Sequence, residues 1–299
     1  MRRRMLLAQA AAAAAVAGCG LVGCAGPGPA AIVPFIDAHA HLNDPALQIE
    51  LMDAHGAAQA LVYWGGRSDH DTLLAAVRRW PGRFVPFASI SPERRAYRGA
   101  WARDAPAELL GLLEPLLAAG VFRGIGELSP VHHASAGFPA ADFDVQGAIT
   151  TAVLALARRH RVPVVMHVEL TRIDAFSELL ARHDDVAVVW AHAGYAGAER
   201  AARLLQRHPR LTLELSARTW PHPRLPGTLV FDEQGTLQPA WRTLIEREPL
   251  RVIVGTDAAG RSRESDAMKF ASVQALLRQL DEPVRSLVAR GNVQALLGA

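Results

Sequence analysis

His39 and His41 stand one residue apart at the end of an apolar stretch in the first fifth of the chain. In a β-strand, side chains alternate between faces, so both imidazoles and the carboxylate of Asp37 would point to one side. Two imidazoles placed in this way can bind one metal ion. In a chain with 12 histidines, one pair of histidines spaced in this way is expected by chance about as often as not. The pair therefore indicates a metal site only if further ligands accompany it.

Side chains of ligand type also follow four later apolar stretches: Glu127, His167, His192 and Asp257. Each has an ordinary alternative on its own. A histidine at a strand end is often only hydrogen-bonded, an aspartate after a strand commonly caps a helix, and Glu127 could pair with Arg123 or Arg218. Together, the six residues predict a site for one or two divalent ions, with zinc expected and manganese, iron or nickel as alternatives.

A regular alternation of elements would position these residues. Apolar runs predict strands over residues 33–38, 60–64, 84–90, 122–128, 162–168, 186–191, 211–215 and 251–256. Helical periodicity predicts helices over 46–55, 72–79, 105–118, 145–159, 173–182, 198–207, 240–247, 266–280 and 282–297.

This α/β order predicts a closed (β/α)8 TIM barrel that forms a single domain over residues 32–299. A doubly wound open sheet is the alternative, although no Gly-x-Gly-x-x-Gly motif follows the first strand. In a barrel, functional groups lie at the carboxyl ends of the strands, and all six candidate ligands fall there.

Composition narrows the possible partners. Lys and Arg number 32 against 29 Asp and Glu, and three of the positive charges are Arg2, Arg3 and Arg4, so the remaining chain is balanced. A balanced chain has no broad basic surface for nucleic acid. The two cysteines, Cys19 and Cys24, lie near the N-terminus, which excludes a disulfide framework or a thiolate ligand elsewhere.

The N-terminus resembles an export signal. Three arginines precede an Ala-rich apolar run, and residues 21–24, Leu-Val-Gly-Cys, resemble the lipobox of bacterial lipoproteins. We therefore expect a lipoprotein-type signal peptide over 1–24, lipidation at Cys24, and a tether over 25–31. Cys19 fits a similar box, an ordinary signal peptide cut within 25–31 is the alternative, and the arginines weakly resemble a twin-arginine signal. The expected location is the bacterial membrane, facing the periplasm or cell exterior.

Three motifs carry a resemblance to a known family: Ile-Asp-Ala-His-Ala-His at 36–41, Ala-His-Ala-Gly at 191–194 and Gly-Thr-Asp at 255–257. Together with Glu127 and His167, they resemble the amidohydrolase-related branch of the amidohydrolase superfamily. The resemblance implies that Asp257 binds metal and takes a proton from the attacking water. It also implies that His192 binds a second metal or polarises the substrate.

One departure from that family concerns the fourth strand. Many members with two metals bridge them by a carboxylated lysine there, but Lys269 is the only lysine and lies beyond the eighth strand. Glu127 stands at the place instead, as in TatD-like deoxyribonucleases, although the balanced charge and the 191–194 motif do not favour a nuclease. Glu127 could bridge two ions, with His167 and His192 completing the second site, or could accept a hydrogen bond from a ligand histidine beside one ion.

The resemblance predicts a hydrolase that acts on a small ester, lactone, amide or phosphoester. A non-oxidative decarboxylase on the same ligands is the alternative, and a non-catalytic surface binding protein is a third. Candidate substrate-binding residues are Glu169, Tyr195 and Arg218, the last of which could clamp a carboxylate or phosphate or be paired structurally. The expected partner is a small molecule, with the membrane contacted only through the lipid anchor and the oligomeric state left open.

Overall fold

The computed structural model describes residues 31–133, 140–221 and 227–298. The predicted signal peptide, lipidated cysteine and tether lie almost wholly outside these ranges. The strands in these ranges are β1 (Phe35–Leu42), β2 (Ala57–Trp64), β3 (Phe84–Pro86), β4 (Ile125–His132), β5 (Ala141–Asp142), β6 (Val164–Val168), β7 (Val188–Trp190), β8 (Leu211–Glu214) and β9 (Val252–Ile253).

Helices separate the strands and cover the sheets. They are α1 (Pro45–His55), α2 (His70–Arg79), α3 (Arg95–Ala102), α4 (Pro106–Ala118), α5 (Ala148–His160), α6 (Ile173–Arg182), α7 (Ala198–Arg207), α8 (Pro239–Arg247), α9 (Arg263–Leu277), α10 (Val284–Ser286) and α11 (Asn292–Leu296). No helix in the described ranges combines the length and the apolar character needed to cross a bilayer.

The strands form two sheets, in the orders β1-β2-β3 and β5-β4-β6-β7-β8-β9. Every pairing is parallel except that of β4 with β5. The α/β class and the parallel sheets are therefore confirmed. The single closed ladder of the predicted barrel is not formed, because only isolated parallel bridges join the sheets, Ala40 to Ala258 and Ala88 to Ile125.

Buried polar contacts reinforce the seam between β1 and β9. The Asp37 carboxylate accepts hydrogen bonds from the backbone N–H of Thr256 at 2.8 Å and from its hydroxyl at 2.6 Å. The backbone N–H of Asp257 donates to the carbonyl of His39 at 2.7 Å. These bonds bring the end of β1 against the segment that follows β9, and so place His39 beside Asp257.

Alternation along the strands separates two apolar clusters. On β6, Val165 joins a small cluster with residues of β1, β2, β7 and β9, whereas its neighbours Val164 and Met166 join the larger cluster that also includes the helices. His167 has the same parity as Val165, so it points to the side of the small cluster. Continuous apolar strands thus bury both faces, and the polar site residues lie where the strands end.

The alternation predicted for β1 is wrong at one position. The pairing of β1 with β2 has a register shift between Asp37 and Ala40, and a shift of one residue moves a side chain to the other face. Asp37 consequently bonds to Thr256 and does not lie with His39 and His41. The helix predicted over 282–297 is also divided, because a π-helical turn at Leu287–Gly291 separates α10 from α11.

Most of the other helices and strands occur where the sequence predicts them. The bounds of α6 and α7 agree with the predicted helices at 173–182 and 198–207. The helix α3 and the antiparallel β5 were not predicted, since α3 spans only eight residues and β5 only two. Several strands are shorter than predicted, β3 and β9 most of all.

Candidate metal centre

The predicted ligands meet around the carboxylate of Glu127. Its Oε2 lies 3.3 Å from Nε2 of His41 and 3.6 Å from Nε2 of His39. Its Oε1 lies 3.4 Å from Nε2 of His192 and 2.9 Å from Nδ1 of His167. Side chains from β1, β4, β6 and the segment after β7 therefore converge on one point.

Asp257 completes the cluster from the segment after β9. Its Oδ1 lies 3.5 Å from Nε2 of His41 and 3.9 Å from Nε2 of His39. In the described ranges, two groups of three have ligand atoms within 4.8 Å of one another: His39, His41 and Asp257, and His39, Glu127 and His192. His39 belongs to both groups, but its one available nitrogen can bind only one ion, so a second ion would be left with Glu127 and His192.

His167 is in neither group. Its Nδ1 faces Glu127, and its Nε2 lies 3.3 Å from Oε1 of Glu169. Both ring nitrogens are thus occupied by carboxylates in this arrangement. His167 lies at the predicted position, but these contacts equally suit a residue that holds Glu127 in place.

The ligand histidines are oriented by bonds from their other ring nitrogen. Nδ1 of His39 donates to the buried Glu214 carboxylate at 3.2 Å, and Nδ1 of His41 donates to the carbonyl of Trp64 at 3.0 Å. Such bonds fix the tautomer so that Nε2 is free to bind a metal. Both Nε2 atoms consequently point into the cluster.

The same carboxylate also positions the third histidine. The Glu214 Oε2 atom accepts from the Ser216 hydroxyl at 2.7 Å and from the backbone N–H of His192 at 3.2 Å. Ser216 Oγ in turn lies 2.9 Å from Nδ1 of His192. One buried glutamate on β8 therefore holds His39 directly and His192 both directly and through Ser216.

The donor set fits a divalent ion. Nε2 of His39 is buried and makes no hydrogen bond with any described residue. A buried polar atom without a partner is costly, and a metal ion would satisfy it. Imidazoles and carboxylates are the ligands of zinc and of similar transition metals.

Mutual charge dominates the electrostatics of the cluster. Burial alone would lower the pKa of His39, but the charge of Glu127, together with the hydrogen bond and charge of Glu214, raises it well above its usual value. For His167, burial is likewise outweighed by Glu127 and Glu169, which raise its pKa to about 10. The pKa of His41 is raised in the same sense, against burial, by Glu127 and Asp257.

The carboxylates respond in the opposite direction. Burial would raise the pKa of Asp257, but the charges of Lys269 and His39 hold it below its usual value. Burial is likewise overcome at Glu127, whose pKa lies well below its usual value because of the charge on His39 and the hydrogen bond from His167. Both carboxylates are therefore ionised at neutral pH.

A left-handed turn carries His192 into the site. His192, Ala193, Gly194 and Tyr195 have φ values of 55°, 45°, 54° and 57°. Each non-glycine residue in this region costs about 1–2 kcal/mol, so the turn needs support. The buried guanidinium of Arg218 supplies it by donating to the carbonyl of His192 at 3.0 Å and to that of Ala196 at 2.8 Å.

Glycine is required where β9 approaches β1. A Cβ atom at Gly255 would lie 2.7 Å from Cβ of His39 and 2.7 Å from Oε1 of Glu214. These distances are shorter than real contacts, so any side chain would displace the ligand histidine or its carboxylate partner. The glycine of the 255–257 motif thus acts by leaving room for His39.

The three candidate substrate residues have different surroundings. Glu169 faces His167 and also pairs with Nε2 of His133 at 2.5 Å. The ring of Tyr195 stacks on that of His192 with centroids 5.4 Å apart. Arg218 is engaged by backbone carbonyls and stacks on Trp241 at 4.8 Å, which favours the structural alternative for this residue.

Three residues of the site were missed by sequence reasoning. Glu214 was read as part of an apolar strand, although an acidic residue inside the run 211–215 was a visible signal. The pair formed by Glu93 and His132, with Oε1 and Nε2 3.3 Å apart, had no sequence signal because it joins the loop before α3 to the end of β4. Lys269 does not lie on β4, as its sequence position implied; it is on α9 and donates to the Asp257 carbonyl.

The fold and the site define an α/β protein whose strand ends carry a cluster of histidines and carboxylates that could hold a metal ion. A family model described as amidohydrolase matches residues 36–299, so the chain belongs to the amidohydrolase family. No curated protein matches the chain in sequence. These comparisons do not support the TatD-like resemblance of the fourth strand.

Solved structures share the fold at low sequence identity. An uncharacterised TIM-barrel protein from Bordetella bronchiseptica is 17% identical, with a TM-score of 0.60 over 85% of this chain and 83% of its own. An amidohydrolase from Burkholderia multivorans with bound zinc is 16% identical, with a TM-score of 0.54 over 89% and 99%. The 2,6-dihydroxybenzoate decarboxylase from Rhizobium is 12% identical, with a TM-score of 0.54 over 89% and 99%.

Zinc binding should release protons. The raised pKa of His39 keeps this ring protonated at neutral pH in the metal-free protein, whereas a ligand imidazole must be neutral. The apparent zinc affinity should therefore rise about tenfold per pH unit for each proton released. Calorimetry at neutral pH in buffers of different ionisation enthalpy measures the number of protons released for each zinc ion bound. A heat that does not depend on the buffer would contradict the prediction.

Proposed function

We propose that the chain is a metal-dependent hydrolase that cleaves a small ester, lactone, amide or phosphoester. The observation that carries the proposal is the pair of ligand groups that share His39 beside the ionised Asp257. Membership of the amidohydrolase family and the zinc in the Burkholderia relative support it. The proposed partner is a small molecule and no nucleic acid.

Divalent metal, with zinc proposed, would be held by His39, His41, Glu127, His192 and Asp257. When bound, it polarises the scissile group and lowers the pKa of water toward about 7. Asp257 accepts the proton of the attacking water and returns it to the leaving group. Its lowered pKa suits the first of these tasks, because the carboxylate is free to accept a proton.

Glu127 is proposed to bridge two ions. Its two oxygens face different histidines, with Oε2 toward His41 and Oε1 toward His192. A carboxylate placed in this way can give one oxygen to each ion. His167 then either completes the second site or holds Glu127 in position, as its 2.9 Å contact suggests.

Asp257→Asn should lower kcat about 100-fold or more, in line with the contribution of a positioned acid–base group. The amide keeps an oxygen ligand, so at least part of the metal should be retained. Turnover and metal content are measured together, with Asp281→Asn on the surface as the matched control. Near-normal turnover in Asp257→Asn would show that another group moves the proton.

The second candidate function is non-oxidative decarboxylation, because the relative from Rhizobium is a decarboxylase. Product analysis distinguishes the two reactions. Panels of lactones, esters, amides, phosphoesters and aromatic carboxylates are incubated with the zinc-loaded protein in ¹⁸O-water. Incorporation of ¹⁸O into the product supports hydrolysis. Release of carbon dioxide without incorporation would favour the decarboxylase.

Removal of Glu127 tests the metal count. The wild-type protein, reconstituted and freed of excess metal, should hold about two equivalents, as in other two-metal sites, and Glu127→Ala about one. Elemental analysis measures the ratio, with Glu264→Ala on the exposed first turn of α9 as the control. One equivalent in both the wild type and Glu127→Ala would leave Glu127 as a hydrogen-bond partner of His167 only.

We propose further that the protein is an exported lipoprotein anchored at Cys24 and facing the periplasm or cell exterior. The signal-like composition of residues 1–24 supports this location. Cys24→Ser should leave the precursor unprocessed or release the protein from membranes, whereas Cys19→Ser should not. Fractionation and N-terminal mass analysis measure both, and a soluble wild type with a mature end beyond Cys24 would refute the anchor.

A further inference from the structure

A cavity of about 600 Å³ adjoins the metal centre at the strand ends. Four arginines line it, Arg67, Arg94, Arg95 and Arg261, against a single carboxylate, Glu93. They belong to the loops that follow β2 and β9 and to the start of α3. The volume suits a small-molecule site.

Shared residues connect the cavity with the metal centre. Trp64 lines the cavity, and its carbonyl accepts the hydrogen bond that orients His41. Glu93 also lines the cavity and pairs with His132, whose ring lies 5.9 Å from that of His167. A molecule in the cavity would therefore reach the ligand cluster at one end.

Two of the arginines have side chains available for a ligand. Arg67 and Arg95 are exposed, and neither guanidinium makes a hydrogen bond or ion pair with any residue that the structure describes. Arg94 is held in place, since it donates to the carbonyl of Ser68 at 2.8 Å and stacks on Trp64 at 5.4 Å. Arg94 therefore forms a fixed part of the cavity wall beside Arg67 and Arg95.

Some exposed arginines elsewhere on the surface have carboxylate partners, and others, such as Arg78 and Arg200, pair with no described carboxylate. Arg103 pairs with Glu108 and Arg172 pairs with Asp142, each at hydrogen-bond distance. Arg67 and Arg95 differ from these residues because both line one concave space. Unpaired guanidinium groups that surround a cavity produce a local positive potential and attract anions.

We propose that this cavity binds an anionic group of the substrate, a carboxylate or a phosphate, at the end remote from the bond that is cleaved. The inference rests on the proposed function, because it assigns the class of substrate to the same site. Guanidinium forks recognise both groups through paired charge-assisted hydrogen bonds. Arg67 and Arg95 would contact the anion directly, and their removal would weaken binding without disturbing the metal ligands.

The test measures binding to the full zinc-loaded chain by calorimetry. The probes are tricarballylate, its uncharged trimethyl ester and glycerol 2-phosphate. At least one anion should bind, and the ester at least about tenfold more weakly. Arg67→Ala and Arg95→Ala should each raise the Kd of the anion about tenfold, whereas Arg78→Ala, an exposed arginine of α2, should leave it unchanged.

Several results would overturn the assignment: no anion binds, the ester binds as tightly as the acid, Arg67→Ala and Arg95→Ala bind as the wild type does, or Arg78→Ala weakens binding equally. Zinc content of each variant, measured in parallel, excludes an effect through the metal. The relative affinities for tricarballylate and glycerol 2-phosphate distinguish a carboxylate from a phosphate. Arginine-dependent binding without turnover of any hydrolysis panel would reject the proposed reaction and retain the anion site.

Discussion

The site depends on one buried imidazole, that of His39. Its Nε2 has no hydrogen-bond partner among the described residues and belongs to both groups of candidate ligands, while its Nδ1 donates to Glu214. A buried ring nitrogen without a partner costs free energy that folding must offset elsewhere. The surrounding structure holds His39 in this state because Gly255 leaves it room and because Glu214 fixes its orientation. A bound metal ion would give this nitrogen a partner and so remove the cost.

Local strain and charge are concentrated around this residue. Asp257 and the turn from His192 to Tyr195 adopt left-handed backbone conformations, and the buried Arg218 holds that turn by its carbonyls. The clustered carboxylates and protonated histidines stabilise one another in the metal-free protein. A bound cation would replace the protons of the ligand histidines. Such features are typical of sites whose geometry is set for chemistry rather than for stability.

Much of this arrangement follows from sequence pattern. The periodic apolar runs predict α6 and α7 to the residue, and the ligand types after the runs predict the cluster around Glu127. Three features could not be predicted. The register shift in β1 removes Asp37 from the ligand face, and sequence alternation cannot show such a shift. The acidic Glu214 stood out in its apolar run, but its contacts with His39 and His192 join parts of the chain that only folding brings together. The seam between β1 and the segment after β9 likewise depends on contacts between opposite ends of the domain.

Anomalous diffraction at the zinc absorption edge, on crystals of the zinc-loaded protein, tests the central claim most directly. The account predicts an anomalous peak within bonding distance of Nε2 of His39, with His41 and Asp257 as its other ligands. A second peak between Glu127 and His192 is expected if the carboxylate bridges. The account would be contradicted by zinc bound only elsewhere on the protein, with Nε2 of His39 left without a metal.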